Sequence, residues 1–300
     1  MPWTFTRVAG PFAFTEGPVW DGTALLFTDI PASRIMRHDP ASGATTVFRE
    51  GTNGANGLHF DRQGALYACE GDGRQLARYA PDGGTTILAE RFEGRRLNSP
   101  NDVTSDAAGR IWFTDPRYGP NRADMELDHE SIFRLDPPLD APLDPPSGHA
   151  GDAGNAGAWA ITRVTFDTTR PNGLVFSPDG RTLYVAESPP APEGQRQLRA
   201  YPVAADGTLG AARVLHDFGP QRGIDGMRID AVGNIVASCG WDQGGPGPRI
   251  AVFAPDGTVL AEHPVPTNPT NCAFGDPDRR GLYVTGYDGC LYHARTDLQG

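Results

Sequence analysis

The sequence has little that reads as helix. No long stretch repeats apolar residues at i, i+3, i+4 and i+7, which argues against a mainly helical chain. No uninterrupted apolar run approaches the ~18 residues a membrane span needs. Positive charge is scarce: 26 Lys and Arg stand against 37 Asp and Glu, for a net charge of −11. A nucleic-acid surface needs clustered cations, so the charge argues against that partner class. The four cysteines, Cys69, Cys239, Cys272 and Cys290, form no C-x-x-C pair and lie in or beside apolar runs. They read as structural free thiols suited to a reducing compartment. The opening MPWTFTRVAG has no charged segment followed by an apolar one, so no secretory signal is expected. The expected location is therefore cytoplasmic.

What is abundant is punctuation. The 38 Gly and 28 Pro fall between short apolar runs, a pattern of many strands and turns. Six segments share one plan: TEGPVWDGTALLFTDI, GANGLHFDRQGALYACE, SPNDVTSDAAGRIWFTD, RPNGLVFSPDGRTLYVAES, GIDGMRIDAVGNIVASC and PTNCAFGDPDRRGLYVTG. Each has a polar head, a short strand, a tight Asp/Gly turn and a strand rich in β-formers. The heads are Glu16, Asn56, Asn101, Asn172, Asp225 and Asn271, spaced by 40, 45, 71, 53 and 46 residues. Repeats of ~40–50 residues with four strands each predict a β-propeller. The expectation is all-β, one domain over residues 1–300, with six four-stranded blades. Around WTFTRVA an N-terminal strand should complete the last blade and close the ring. The long interval holds a Pro/Gly/Asp-rich insertion over 137–159, read as a surface loop between the third and fourth strands of a blade.

The first strand of each propeller blade lines the central axis. Six polar heads at the starts of those strands converge on one end of the tunnel. The connections from second to third strand, such as DPRYGPNRADMELDHE and CGWDQGGPGPR, lie on the same face and are the longer ones, where binding residues usually sit. Each Asn-Gly or Asp-Gly alone is an ordinary turn dipeptide. Six heads in one register, with Glu16 and Asp225 among them, make an oxygen-only donor set that suits one hard divalent cation, Ca²⁺ first. Mg²⁺, Mn²⁺ or Zn²⁺ can replace it in open oxygen sites. A dedicated zinc site would use His or Cys, and no head is either; His59 lies inside a strand. There is no G-x-S-x-G elbow, which argues against serine-hydrolase chemistry. Glu16 and Asp225 could pair as glycosidase carboxylates, but the surrounding amides favour a metal.

The stretches EGPVW (16–20), NSPNDV (98–103), IWFTDPRYG (111–119), RPNGLVFSPDG (170–180) and TNCAFG (270–275) resemble the regucalcin/gluconolactonase family of six-bladed propellers, also called senescence marker protein, in its bacterial form. The resemblance covers essentially the whole chain. It implies lactone hydrolysis at a divalent cation held by Glu16, Asn172 and Asp225, with Asn101 as ligand or substrate contact. Animal members carry an Arg, two residues before the position of Asn101, that contacts the sugar lactone; Ser99 stands there here, so sugar preference does not transfer. Arg117 and Tyr118 on the long loop are candidate substitutes, and Asn56 and Asn271 complete the substrate side. The cation would polarise the lactone carbonyl and stabilise the oxyanion. Asp225 is the first candidate to take the proton of the attacking water. Asp115, at a strand end, is a candidate for orienting water or a hydroxyl, or else a cap before Pro116. Two other readings stay open: a phosphotriesterase like diisopropyl fluorophosphatase, which has a His near the last head where TNCAFG has none, and a non-enzymatic calcium-binding propeller. The small-molecule partner is a lactone, and oligomeric state is not legible.

Overall fold

The computed structural model describes residues 2–119, 121–138, 158–190 and 194–300. Six four-stranded antiparallel sheets surround an axis. Blade 1 is β2 (Thr15–Trp20), β3 (Leu25–Asp29), β4 (Arg34–His38) and β5 (Thr45–Glu50). Blade 2 is β6 (Ala55–Phe60), β7 (Leu66–Glu70), β8 (Gln75–Tyr79) and β9 (Thr85–Ala89), followed by a small hairpin of β10 (Arg91–Phe92) and β11 (Arg95–Arg96). Blade 3 is β12 (Val103–Ser105), β13 (Ile111–Asp115), β14 (Ser131–Asp136) and β15 (Ala160–Arg163). Blade 4 is β16 (Pro171–Phe176), β17 (Thr182–Glu187), β18 (Gln197–Pro202) and β19 (Arg213–Asp217). Blade 5 is β20 (Ile224–Ile229), β21 (Ile235–Trp241), β22 (Gly244–Phe253) and β23 (Val259–Pro264). Blade 6 is β24 (Pro269–Gly275), β25 (Gly281–Gly286) and β26 (Leu291–Arg295), and its outer strand is β1 (Thr6–Ala9) from the start of the chain. The six-bladed ring and its N-terminal closure are as the repeat predicts.

The alternation along each strand explains where the core lies. A blade exposes neither broad face; each packs on its neighbours. The buried side chains accordingly fall into six clusters, one per seam. Leu26, Ile35, Leu58 and Leu66 fill the seam of blades 1 and 2. Trp20, Phe27, Ala273 and Tyr283 fill that of blades 6 and 1. Stability is thus distributed around the ring, each fully buried Leu or Phe contributing about 1.5–3 kcal/mol.

In blades 2, 3 and 5 the first-to-second strand turns are tight because an Asp at the first position accepts from the backbone two and four residues on. Asp61 Oδ1 takes the N–H groups of Gln63 and Ala65, both at 2.9 Å. Asp230 Oδ1 does the same for Val232 and Asn234. The segment CGWDQGGPGPR is largely ladder rather than loop: β21 runs to Trp241, pairs it with Gly244, and turns into the ten-residue β22. The insertion expected over 137–159 falls between the third and fourth strands of blade 3; residues 139–157 lie outside the described residues.

Candidate metal centre at the propeller axis

Five of the six heads sit inside the innermost strands rather than before them. In blades 1, 2, 4, 5 and 6 the ladder slips at the head, between Glu16 and Val19, Ala55 and Leu58, Pro171 and Leu174, Ile224 and Met227, and Pro269 and Cys272. Such bulges re-aim a side chain. The glycine after most heads has a second reason, which is not turn chemistry. A Cβ on Gly17 would lie 2.1 Å from the Asn56 carbonyl oxygen; on Gly57, 2.6 Å from that of Asn101; on Gly173, 2.6 Å from that of Asp225; and on Gly226, 2.0 Å from the Asn271 side chain. Each glycine lets the next blade's head come in against the axis.

The polar atoms at the axis divide into those held and those presented. Glu16 Oε2 accepts from the Gly17 N–H at 2.5 Å and from Asn271 Nδ2 at 3.1 Å, leaving Oε1 without a bonded partner. Asn172 Nδ2 donates to Asp225 Oδ1 at 2.7 Å and to Tyr118 Oη at 2.9 Å, which turns its Oδ1 the other way. Asp225 Oδ2 accepts from Arg222 at 2.5 Å. Asn271 is used at both ends, since its Oδ1 accepts the Cys272 N–H at 2.9 Å. It braces Glu16 rather than offering an oxygen. Asn56 Oδ1 is buried and has no hydrogen-bond partner.

Asn101 contributes mostly backbone. Its N–H donates to the Thr114 carbonyl at 2.9 Å and its carbonyl accepts from Gly57 at 2.7 Å. The neighbouring Asp102 reaches deeper. It is 1% exposed, its Oδ1 accepts the Val103 N–H, and its Oδ2 is buried without a hydrogen bond, 3.9 Å from Arg228. Asp115 spends both oxygens on its own blade, taking the Asn98 and Ser99 N–H groups at 2.8 Å each. It thereby fixes the segment that carries Ser99, whose hydroxyl donates to the Gly71 carbonyl at 3.2 Å. Arg117 is tied to Asp124 at 2.5 Å and to the Asn98 carbonyl, so it braces the long loop. Tyr118, from that same loop, does reach the axis: it contacts Asn172, and its proton goes only to the distant Ser188 carbonyl at 3.4 Å.

The electrostatics favour a cation here. Burial, reinforced by the charges of Asp225 and Asp102, pushes the Glu16 carboxyl well above the usual carboxylate range. Burial also raises Asp225 against the opposing pull of Arg222, and raises Asp102 against that of Arg228. Burial drives Asp115 up to about 7 despite its two N–H donors. Three buried carboxyls near enough to repel one another resist carrying their charges together, and a divalent ion between them would relieve that cost. The donors are hard oxygens, two of them buried orphans, which fits Ca²⁺ and its relatives. Among the described residues no three His, Cys, Asp or Glu side chains form a metal-holding group, so an ion at this site would depend on amide oxygens too.

Sequence reasoning missed Asp102 and Arg222. Asp102 stands beside the chosen head in NSPNDV, and only strand direction separates the two. Arg222 precedes Asp225 by three residues in a loop, with no pattern to mark it.

These features define a six-bladed propeller with an axial oxygen-donor site. Residues 14–287 match the model of the SMP-30/gluconolactonase/LRE-like region, and the chain belongs to that family. It is 29% identical to a gluconolactonase of Zymomonas mobilis, covering 90% of this chain and 75% of that protein. It is 31% identical to a pentonolactonase of Haloferax volcanii, covering 95% and 87%. A solved gluconolactonase from Xanthomonas campestris superposes with a TM-score of 0.80 at 31% identity, over 99% of this chain and 89% of that one. No described helix is long and apolar enough to cross a membrane.

Proposed function

We propose that this protein hydrolyses a sugar (aldono) lactone to its hydroxy acid at a divalent cation, Ca²⁺ first, on the propeller axis. The observation that carries this reading is the half-held geometry of Glu16 and Asn172, each fixed through one atom and free at one oxygen. Lactonases of sugar acids among the similar proteins support the substrate class.

Glu16, Asn172 and Asp225 would hold the ion, with Asn101 beside it. When bound, the ion supplies Lewis-acid polarisation of the lactone carbonyl and stabilisation of the oxyanion. Asp225 is the residue suited to draw a proton from the attacking water, with the charge-assisted bond from Arg222 fixing its carboxylate. Water adds to the carbonyl carbon, the ring C–O bond breaks, and the ring oxygen leaves with a proton as the product hydroxyl. Tyr118 has a weakly committed proton to donate to a substrate oxygen. The exposed rings of Trp241, at the end of β21, and of Tyr287, just after β25, can stack on a sugar.

The test is a panel of aldonolactones, with an organophosphate beside them, assayed across divalent ions. An aldonolactone should turn over with Ca²⁺, stop on chelation and recover on adding the ion back. Glu16→Gln and Asp225→Asn should each lose about a hundredfold or more of kcat while melting normally. Turnover indifferent to chelator, or undiminished in both variants, overturns the reading; preferential organophosphate turnover reassigns the substrate.

A further inference from the structure

Of the contacts that hold the axial ligands, one differs in kind. Glu16 is held by a backbone N–H and by the Asn271 amide, and Asn172 by a phenol and a carboxylate. Asp225 alone is held by a full positive charge, Arg222. An amide would orient the carboxylate too; a guanidinium in addition repels a divalent ion next to it.

Arg222 cannot swing away. Its Nη1 donates to the Gly240 carbonyl at 2.8 Å and to the Pro269 carbonyl at 3.0 Å. Its guanidinium lies over the Tyr287 ring, 5.0 Å from the centroid, and Phe14 meets that ring edge-on at 5.0 Å. Blades 5 and 6 thus fix the charge, and the remaining Nη2 is aimed at Asp225 Oδ2. Asp225 then has only Oδ1, which also accepts from Asn172 Nδ2 at 2.7 Å, to offer toward the axis. The three axial carboxylates, Glu16, Asp102 and Asp225, face two arginines, Arg222 and Arg228. Neutralising Arg222 would free a carboxylate oxygen and remove a repelling charge together.

We infer that Arg222 is a positioning residue that limits Asp225 to one oxygen at the axis and weakens the hold on the cation in favour of turnover. This rests on the axial cation site proposed above. Binding that stabilises ground state and transition state alike adds nothing to kcat, so a looser and better oriented ligand is the catalytic arrangement.

The experiment titrates Ca²⁺ by calorimetry into wild type, Arg222→Gln, Arg222→Met and Arg222→Lys, and measures kcat and KM on the same preparations. The neutral variants should bind Ca²⁺ about tenfold or more tightly. Their kcat should fall about tenfold or more, with KM changing less. Arg222→Lys keeps the charge without the planar fork, so its Ca²⁺ affinity should stay within about threefold of wild type while kcat falls. A merely structural arginine predicts the opposite sign, weaker Ca²⁺ binding together with early melting. Unchanged or weaker Ca²⁺ binding in well-folded neutral variants overturns the proposal. If the neutral variants do not fold, a loss of Ca²⁺ affinity in Arg222→Lys overturns it. Failure of wild type to bind any divalent ion instead refutes the axial site itself.

Discussion

Asn271 on β24 donates through Nδ2 to Glu16 Oε2 at 3.1 Å, across the seam where the last blade meets the first. The same side chain accepts the Cys272 N–H, so one buried amide links ring closure to the geometry of an axial carboxylate.

Asn271→Ala should therefore be felt twice. A hydrogen bond to a charged group contributes about 1.5–3 kcal/mol, and the Cys272 N–H loses its acceptor as well. The variant should lose about 2 kcal/mol of stability and about tenfold or more in kcat/KM. Asn271→Asp should be worse, because it sets a carboxylate against Glu16. Thermal melts and lactone kinetics on the pair check this; a variant with wild-type kcat/KM would leave Asn271 a packing residue only.

Much of this was legible in the sequence, for a physical reason. A propeller repeats one solution to one packing problem, so the heads recur in register and the interval from Asn271 round to Glu16 closes the ring. The glycines after Asn56, Asn172 and Asp225 were legible as residues and misleading as chemistry. They look like turn dipeptides, yet they sit in strands where the neighbouring head leaves no room for a Cβ. Contacts from other blades left no local trace. Arg222 gains its role from Gly240, Pro269 and Tyr287, all at least 18 residues away in the chain. The choice between Asn101 and Asp102 depends on which side chain faces inward, and two adjacent polar residues do not say.

Asp102 carries a buried oxygen with no hydrogen bond, near Glu16 and Asp225. Asp102→Asn removes a buried charge that only Arg228, at 3.9 Å, opposes, at constant shape. Without a bound ion the variant should melt at or above the wild-type temperature, by up to about 2–4 °C for each kcal/mol recovered. The increase in melting temperature on adding Ca²⁺ should shrink. Melting curves in chelator and in Ca²⁺ give both numbers. A clear drop in chelator would mean that the pairing with Arg228 outweighs the cost of burial.

Strand β1 closes blade 6, and the residues before it are anchored too. Trp3 stacks on His263 with centroids 3.7 Å apart, donates through Nε1 to Asp297 at 2.8 Å, and packs with Phe5 against Cys272, Phe274 and Tyr292. Removing residues 2–9 would bare the β26 edge and empty two buried aromatic positions, each costing about 3–5 kcal/mol on truncation. That deletion should abolish the soluble folded protein. Trp3→Ala should still fold, with a melting temperature lower by about 5–10 °C. A deletion variant that melts within a few degrees of wild type would show that the ring does not need this strand.

His59 tests the tunnel wall by pH. It lies on β6 with Nε2 2.8 Å from Ser105 Oγ, and burial, aided by the Arg228 charge, pushes its pKa down to about 4. The unfolded chain binds that proton with a pKa near the usual ~6.5. Above that value both states are neutral and the group costs nothing. As the pH falls from about 6.5 toward about 4, the unfolded chain takes up a proton that the fold refuses, and stability declines with pH. Across this window the loss should be about 1–3 kcal/mol. His59→Gln keeps a hydrogen-bonding group for Ser105 and cannot titrate, so its acid limb should be shallower. Melting temperatures of both proteins at about pH 7.5 and about pH 4.5 measure the difference. Parallel curves would place the acid sensitivity elsewhere, on carboxylates held charged by their partners, such as Asp278 against Arg295.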